Sequence, residues 1–201
     1  MQKKLIIVIC ALFLVSCGGD DSIKAPDDRT LSSVNPEDRN DYYSGPPDLI
    51  IDTAKKYTAI MHTRKGDIKI ALDAGNAPLH TNNFVFLAEQ GFYDGLTFHR
   101  KEDFFVLQGG DPLANSSGGP GYKIPAEIGL LHEQGVIAAA RVGDTENPNR
   151  DSSGSQFYFT LFPQPGLNGV YSVFGKIVDG YDAMERQSVG DKMIWVEIVE
   201  E

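Results

Sequence analysis

From Tyr57 to the C-terminus the chain is written as short runs of alternating apolar residues, broken every few positions by glycine. Alternation at a period of two puts every second side chain on one face, the pattern of a half-buried strand. Residues 57–63 and 67–72 are two such runs joined by Arg64-Lys65-Gly66, and they read as a β-hairpin with glycine in the turn. Further strands are predicted at 96–99, 104–108, 135–140, 156–161, 171–178 and 193–199. Two segments carry helical spacing instead. One begins at Asn76-Ala77-Pro78, with proline near its first turn and Gly91 just past its end. Its stripe is Leu79, Phe84, Leu87 and Ala88, with Asn82 and Asn83 beside it. The other covers 181–188. The Gly/Ser stretch 115–122 lacks the Lys-Ser/Thr ending of a phosphate-binding loop and reads as a plain loop. Many short strands, two helices far apart and no internal repeat predict a mostly β fold, a β-barrel with helical plugs.

The residues before Tyr57 have a different texture. Lys3 and Lys4 precede an apolar run, 5–15, that is far too short to span a bilayer and ends in Leu14-Val15-Ser16-Cys17-Gly18. A basic start, a short apolar core and a small-residue ending make residues 1–16 a secretory signal. The Leu-Val-Ser-Cys ending resembles the lipobox of bacterial lipoproteins, in which the signal is cut before a cysteine that carries the lipid. That resemblance implies lipidation at Cys17. The chain has two cysteines, so Cys10 leaves with the signal and the mature domain keeps no free thiol, disulfide or cysteine metal site. An oxidising envelope compartment suits such a chain. Residues 18–56 are rich in Pro, Asp, Asn and Ser, with sparse apolar residues and no period, so 17–56 reads as a lipidated cysteine and flexible tether ahead of a 57–201 domain. Only Leu49-Ile50-Ile51 offers a candidate for packing on the domain edge. Removal of 1–16 takes away Lys3 and Lys4 and no acid, which moves the formal charge from −10 to −12. A domain this acidic is a poor partner for nucleic acid or an anionic membrane surface. Nothing in the sequence argues for an oligomer.

The chemistry concentrates in Phe98-His-Arg-Lys-Glu-Asp-Phe-Phe-Val-Leu-Gln-Gly-Gly-Asp111. In an extended chain Phe104, Val106 and Gln108 share one side, with Phe105 and Leu107 on the other. A turn at Lys101-Glu102-Asp103 folds Arg100 back beside the second strand. The product is a fixed guanidinium, an apolar floor and an amide to orient the guanidinium, with no nucleophile. A surface arginine paired to Glu102 or Asp103 on an edge strand is the plainer alternative. Other chemistries find little support. His62, His80, His99 and His132 have no partner at a metal-ligand spacing and read as packed or hydrogen-bonded side chains. No GxSxG elbow is present. Asp144, Glu146, Asn147, Asn149 and Asp151 lack the EF-hand order and read as a solvated acidic loop. No metal or cofactor is expected.

One reaction needs neither acid, base nor nucleophile. An X-Pro amide rotates over a barrier of about 18–20 kcal/mol because resonance must be broken. A catalyst needs an apolar slot for the proline ring and donors that favour the twisted amide over both planar forms. An arginine over an aromatic and aliphatic floor is chemically suited to that.

At this point the chain resembles the cyclophilin family of peptidyl-prolyl cis-trans isomerases. The likeness runs from about Tyr57 to the C-terminus through GFYDGLTFHR, VLQGGDP, GGPGY, GVIAAAR, SGSQFYFT and VFGKIVDG, in family order. It implies a closed eight-stranded antiparallel β-barrel capped by two α-helices, and isomerase activity on Pro-containing polypeptides. By position, Arg100 matches the family's catalytic arginine, Phe105 and Val106 the pocket pair, and Gln108 the glutamine that orients the arginine. Ala140 and Arg141 match the segment that pairs with substrate backbone. Gln156 and Tyr158 match the Gln-x-Phe segment, with tyrosine for the usual phenylalanine. Leu167 matches the pocket leucine, and Tyr171 stands where eukaryotic members have histidine. Three departures accompany these matches. Gly166 replaces the aromatic before the pocket leucine, which implies weak binding of cyclosporin-like drugs. The loop between Gly143 and Gly154 is longer than the common form. Lys101-Glu102-Asp103-Phe104 replaces an Ile-Pro-Gly segment.

Two functions follow as expectations. The first is an envelope prolyl isomerase, a folding catalyst held by its lipid to the membrane. Gly18 rather than aspartate after Cys17 points to the outer membrane over the inner. The second is a non-catalytic module of the same fold that docks Pro-containing segments of a partner, motivated by the altered rim at Gly166 and the long 144–153 loop.

Overall fold

A computed structural model describes residues 24–201; the predicted signal at 1–16 and Cys17 lie outside the described residues. Strands β1 (Tyr57–Thr63) and β2 (Ile68–Leu72) bury every second side chain, as their alternation requires. Gly66 turns between them at φ +115°, a left-handed conformation that other residues adopt only at a cost. Helix α1 (Pro78–Glu89) follows, then β3 (Arg100–Glu102), β4 (Val106–Gly109), β5 (Lys123–Ile124), β6 (Val136–Ala139), β7 (Ser152–Ser153), β8 (Phe157–Thr160), β9 (Val173–Asp179), α2 (Tyr181–Glu185) and β10 (Met193–Glu200).

Eight strands form one antiparallel sheet in the order β10-β1-β2-β9-β6-β8-β4-β3, and β5 pairs separately with β7. The sheet curls but does not close, so the expectation of a closed barrel is corrected to a half-barrel. The start of the β10 edge meets the residues that precede β3, not β3 itself: Met193 exchanges backbone hydrogen bonds with Gly95 and Leu96. Thr97 bridges Lys192, and Phe98 N–H donates to the Asp191 carbonyl at 2.9 Å. Arg100 and the residues after it then leave for the hairpin with β4, so no ladder forms between β3 and β10.

The short strands β4, β6 and β8 are buried along their whole length because both of their faces are covered. Leu107, Ile137, Ala139, Phe157 and Phe159 face the main core with α1 and α2. Their neighbours Val106, Ala138 and Tyr158 face a second, smaller apolar cluster. Alternation along three adjacent strands therefore builds the core with one set of residues and the floor of a pocket with the other.

Helix α1 is buried on nearly all sides, its asparagines included. Asn82 Oδ1 accepts from Ile50 N–H at 2.7 Å and its amide donates to the Asp48 carbonyl at 2.9 Å. Asn83 donates to the Gly154 carbonyl at 2.6 Å and accepts from the Tyr122 hydroxyl at 2.7 Å. Buried amides are tolerated here because each is satisfied.

The segment before β1 departs from expectation. A flexible tether reaching to residue 56 does not agree with a packed one. Leu31 is fully buried and Ile51 nearly so, both within the main core. Arg39 is 2% exposed and donates to the carbonyls of Val34, Phe92 and Asp94. Arg29 lies 2.7 Å from the Asp94 carboxylate and donates to the Ala88 carbonyl. Arg39, bonded to main-chain carbonyls throughout its guanidinium, and Arg29, bonded to the Ala88 and Val196 carbonyls and paired with Asp94, offset what the segment lacks in apolar residues, a contribution that composition does not show.

Candidate active site

The β3–β4 hairpin sets the first part of the site. Arg100 pairs in register with Gln108, and Glu102 with Val106. Arg100 Nη1 donates to Gln108 Oε1 at 3.0 Å, and Arg100 Nη2 donates to Glu102 Oε1 at 2.5 Å. Both sequence readings of the arginine are therefore present at once: it is oriented by the glutamine and paired to the acid. The guanidinium carbon stands 5.8 Å from the centre of the Phe105 ring. Behind it, Gln108 Nε2 donates to Gln156 Oε1 at 3.0 Å, and Gln156 Nε2 donates to the Gly118 carbonyl at 2.8 Å.

The hairpin turn corrects one expectation. Phe104 does not share a face with Val106 and Gln108. It sits in the turn at φ +62° with its ring 73% exposed beside Phe162, and Gln164 donates to its carbonyl at 2.8 Å. A non-glycine residue in the left-handed region carries strain that a glycine would not. The turn therefore comprises residues after Glu102 rather than Lys101-Glu102-Asp103.

Phe105, Val106, Tyr158, Leu167 and Tyr171 line a pocket of about 150 Å³ with Arg100, Gln108, Ala140 and Arg141 at its rim. All ten predicted site residues of the domain converge: the nine named here line this pocket, and Gln156 stands one hydrogen bond behind Gln108. Tyr158 replaces a phenylalanine without an orphaned hydroxyl, because its oxygen lies 2.9 Å from His132 Nε2. Arg141 stacks its guanidinium 4.5 Å from the centre of the Tyr171 ring and pairs with Asp144 at 2.6 Å. Ala140 is not free to pair through its main chain. Its N–H donates to the Gln156 carbonyl and its carbonyl accepts from Ser153 N–H. Arg141 makes no backbone–backbone hydrogen bond among the described residues, so the main-chain pairing expected of this segment falls to Arg141. Gly166 has open space around it and adds no wall.

Beside the pocket runs a groove of about 750 Å³, shared across Arg100, Gln108, Ala140 and Arg141 and walled by residues 116–119 and Asp41. Sequence reasoning assigned no role to this wall. The GGPGY block was its only signal, since the strap that supplies Asp41 has no counterpart in the pattern.

His132 is packed, as its sequence context predicts: it is 2% exposed behind the pocket, stacked on Tyr158. Burial lowers its pKa, partly opposed by the hydrogen bond with Asn168. With the folded pKa below the unfolded value of about 6.5, the unfolded chain takes up the proton first, so stability is lost as pH falls from there through the folded pKa. Urea unfolding of His132→Gln across that range is expected to show a shallower loss than the wild-type protein; parallel pH curves would assign the loss to other groups. Glu102 gives a second expectation. It is exposed and Arg100 partly so, and such pairs contribute about 0–1 kcal/mol. Glu102→Ala is expected to leave the unfolding midpoint in place and to change peptide isomerisation by no more than about threefold. A much larger loss would show that the acid, not Gln108, sets the arginine.

The acidic loop has occupants of its own. Asp144 bridges Arg141 and Arg150, while Asn147 exchanges two hydrogen bonds with Asp151. Among the described residues no group of three or more His, Cys, Asp or Glu is arranged to hold a metal ion.

An antiparallel β half-barrel with an apolar slot beneath an oriented guanidinium is the class that fold and site define. Comparison with known proteins narrows it. Residues 58–196 match the family described as cyclophilin type peptidyl-prolyl cis-trans isomerase/CLD. A peptidyl-prolyl cis-trans isomerase of Synechococcus elongatus is 42% identical over 144 residues, covering 70% of this chain and 95% of the relative. Peptidyl-prolyl cis-trans isomerase B of Bacillus subtilis is 46% identical over 120 residues, covering 58% and 80%. A cyclophilin type isomerase of Cryptosporidium parvum, solved in the presence of the dipeptide Ala-Pro, superposes with a TM-score of 0.61 at 29% identity over 72% of this chain and 98% of that one. The chain belongs to the cyclophilin-type peptidyl-prolyl cis-trans isomerases and is an isomerase of that class.

Proposed function

We propose that this chain accelerates rotation about X-Pro bonds of envelope proteins by binding the twisted amide with Arg100 over the apolar pocket. The observation that carries the reading is the Arg100–Gln108 pair, held at 3.0 Å beside a pocket lined by Phe105, Val106, Tyr158, Leu167 and Tyr171. The pocket takes the proline ring and fixes it while the preceding carbonyl turns. As resonance is lost the prolyl nitrogen becomes pyramidal and its lone pair becomes an acceptor. A guanidinium N–H donated from the pocket rim to that lone pair stabilises the twisted state more than either planar one. Gln108 keeps the donor in place, so little reorganisation accompanies the rotation. Arg141 offers its free main chain to the peptide on the far side of the rim. The Ala-Pro dipeptide present with the Cryptosporidium parvum protein supports the substrate class.

The envelope location rests on the signal-like start and on Cys17. Lipid on that cysteine tethers the domain to the membrane, the outer one by the Gly18 criterion, and clients are Pro-containing polypeptides folding nearby. The domain works as a monomer, with no nucleic acid.

Two measurements test this. Exchange NMR on an Ala-Pro peptide is expected to show cis–trans exchange accelerated by the protein. Peptide binding without acceleration would favour the docking module instead. For the anchor, labelled fatty acid is expected to enter the wild-type chain and not Cys17→Ser, which leaves the membrane fraction. Equal membrane retention of both would remove the lipoprotein reading.

A further inference from the structure

The strap is tied to the site by an unbroken line of hydrogen bonds. Asp41 N–H donates to the Gly119 carbonyl at 2.9 Å, Tyr43 N–H to the Pro120 carbonyl at 2.8 Å, and Gly119 N–H to Asn40 Oδ1 at 3.0 Å. The approach is close enough to demand glycine opposite the strap: a Cβ on Gly121 would meet the Tyr43 carbonyl oxygen at 2.2 Å. The strap itself is pinned on both sides of Asn40. Arg39 is saturated by main-chain carbonyls, and the Tyr43 ring packs edge-on against Phe86 and Tyr122.

The N–H that Asn40 receives and the carbonyl that receives Gln156 are the two ends of one peptide unit, Gly118–Gly119. That carbonyl dictates the rest of the line. Because it must be given an N–H, Gln156 presents Nε2 to it and turns Oε1 to Gln108. Gln108 must then present Nε2 to Gln156, which leaves Oε1 for Arg100 Nη1. Were the Gly118–Gly119 peptide to flip, both amides would invert and Gln108 would offer an N–H to a cation. A peptide between two glycines has little intrinsic preference against such a flip. Donor–acceptor lines of this kind also polarise one another, so a fixed end strengthens the far end.

We propose that Asn40 is a positioning residue for isomerisation: by holding the Gly118–Gly119 peptide it fixes the amide orientation of Gln156 and Gln108, and through them the guanidinium of Arg100. This rests on the reading of Arg100 given above. Asn40 touches no part of the pocket, so its loss acts on the turnover step and not on peptide capture.

The test uses the full chain and a short Ala-Pro peptide. Asn40→Ala is expected to lower kcat about three- to tenfold, the range for one lost hydrogen bond, with KM within about twofold of wild type. Asn40 is only half-buried at the surface, so its truncation is expected to leave the unfolding midpoint in place. The exchange variant Asn40→Asp/Asp41→Asn keeps an acceptor for Gly119 N–H and restores the Asn40–Asp41 hydrogen bond in reverse, so it is expected to return kcat to near wild type. In a Gln156→Ala background, where the line is already cut, Asn40→Ala is expected to add no further loss. A wild-type kcat in Asn40→Ala, an exchange variant as slow as Asn40→Ala, or a full additive loss in the Gln156→Ala background would each overturn the proposal. Full activity in Arg100→Ala would instead overturn the arginine reading beneath it.

Discussion

Replacing Arg100 with alanine is expected to lower kcat/KM for an Ala-Pro peptide by about 10²–10³-fold, the loss typical of one preorganised donor to a transition state. The same change is expected to leave urea unfolding nearly unaltered, since the ion pair with Glu102 is exposed and such pairs contribute about 0–1 kcal/mol. The contrast is what makes the variant informative. A surface arginine without a role would lose neither, and a merely structural one would lose stability. Arg100 places its guanidinium over Phe105 and bonds it to Gln108 and Glu102, all outside the main core.

Leu31→Ala gives the second large effect, on stability. Leu31 has no exposed surface and packs within the main core, and truncations of that kind cost about 2–5 kcal/mol. A urea titration of the full chain is expected to show the midpoint fall with the slope unchanged. For a residue in a flexible tether the midpoint would not move. Leu31 thus decides whether the domain begins at Tyr57 or includes the strap. An N-terminal truncation to residue 50 would remove Leu31, Arg29 and Arg39 together, and is expected to unfold more readily still.

What could be read from the sequence was whatever repeats at a fixed period or sits in one contiguous block. The alternation in β1 and β2 is visible because one face of each is buried, whereas β10 buries only Met193 and Val196 and its alternating Ile194 and Ile198 are half-exposed. Helix α1 was placed by Pro78 and Gly91 although its exposed Leu79 and its buried Asn82 and Asn83 blur the apolar stripe. The residues around the pocket were legible through Arg100, Phe105 and Gln108, which lie within one hairpin. Four features were not. The strap's hold on the domain comes from Arg29 and Arg39, and its link to the site from Asn40, each bonding to main-chain groups far away in sequence, and no local pattern records such partners. The edge between β3 and β10 stays open because of where a short strand turns, a matter of a few residues. Phe104 was assigned to the Val106 face because alternation assumes an extended chain, and its left-handed backbone breaks that assumption. The pair Tyr158–His132 was hidden for a related reason: each residue is ordinary alone, and only the fold puts the imidazole 2.9 Å from the hydroxyl.

The central claim is that Arg100 binds the twisted amide more tightly than the planar one, and one titration tests it directly. An Ala-Pro peptide is added to wild type and to Arg100→Ala, and NMR reads both the dissociation constant and the cis–trans exchange rate of the bound peptide. If the arginine acts on the transition state, exchange falls by about 10²-fold or more while the dissociation constant moves by no more than a few-fold. A dissociation constant that rises in step with the loss of activity, with bound-state exchange unchanged, would contradict it and leave Arg100 as a simple binding contact.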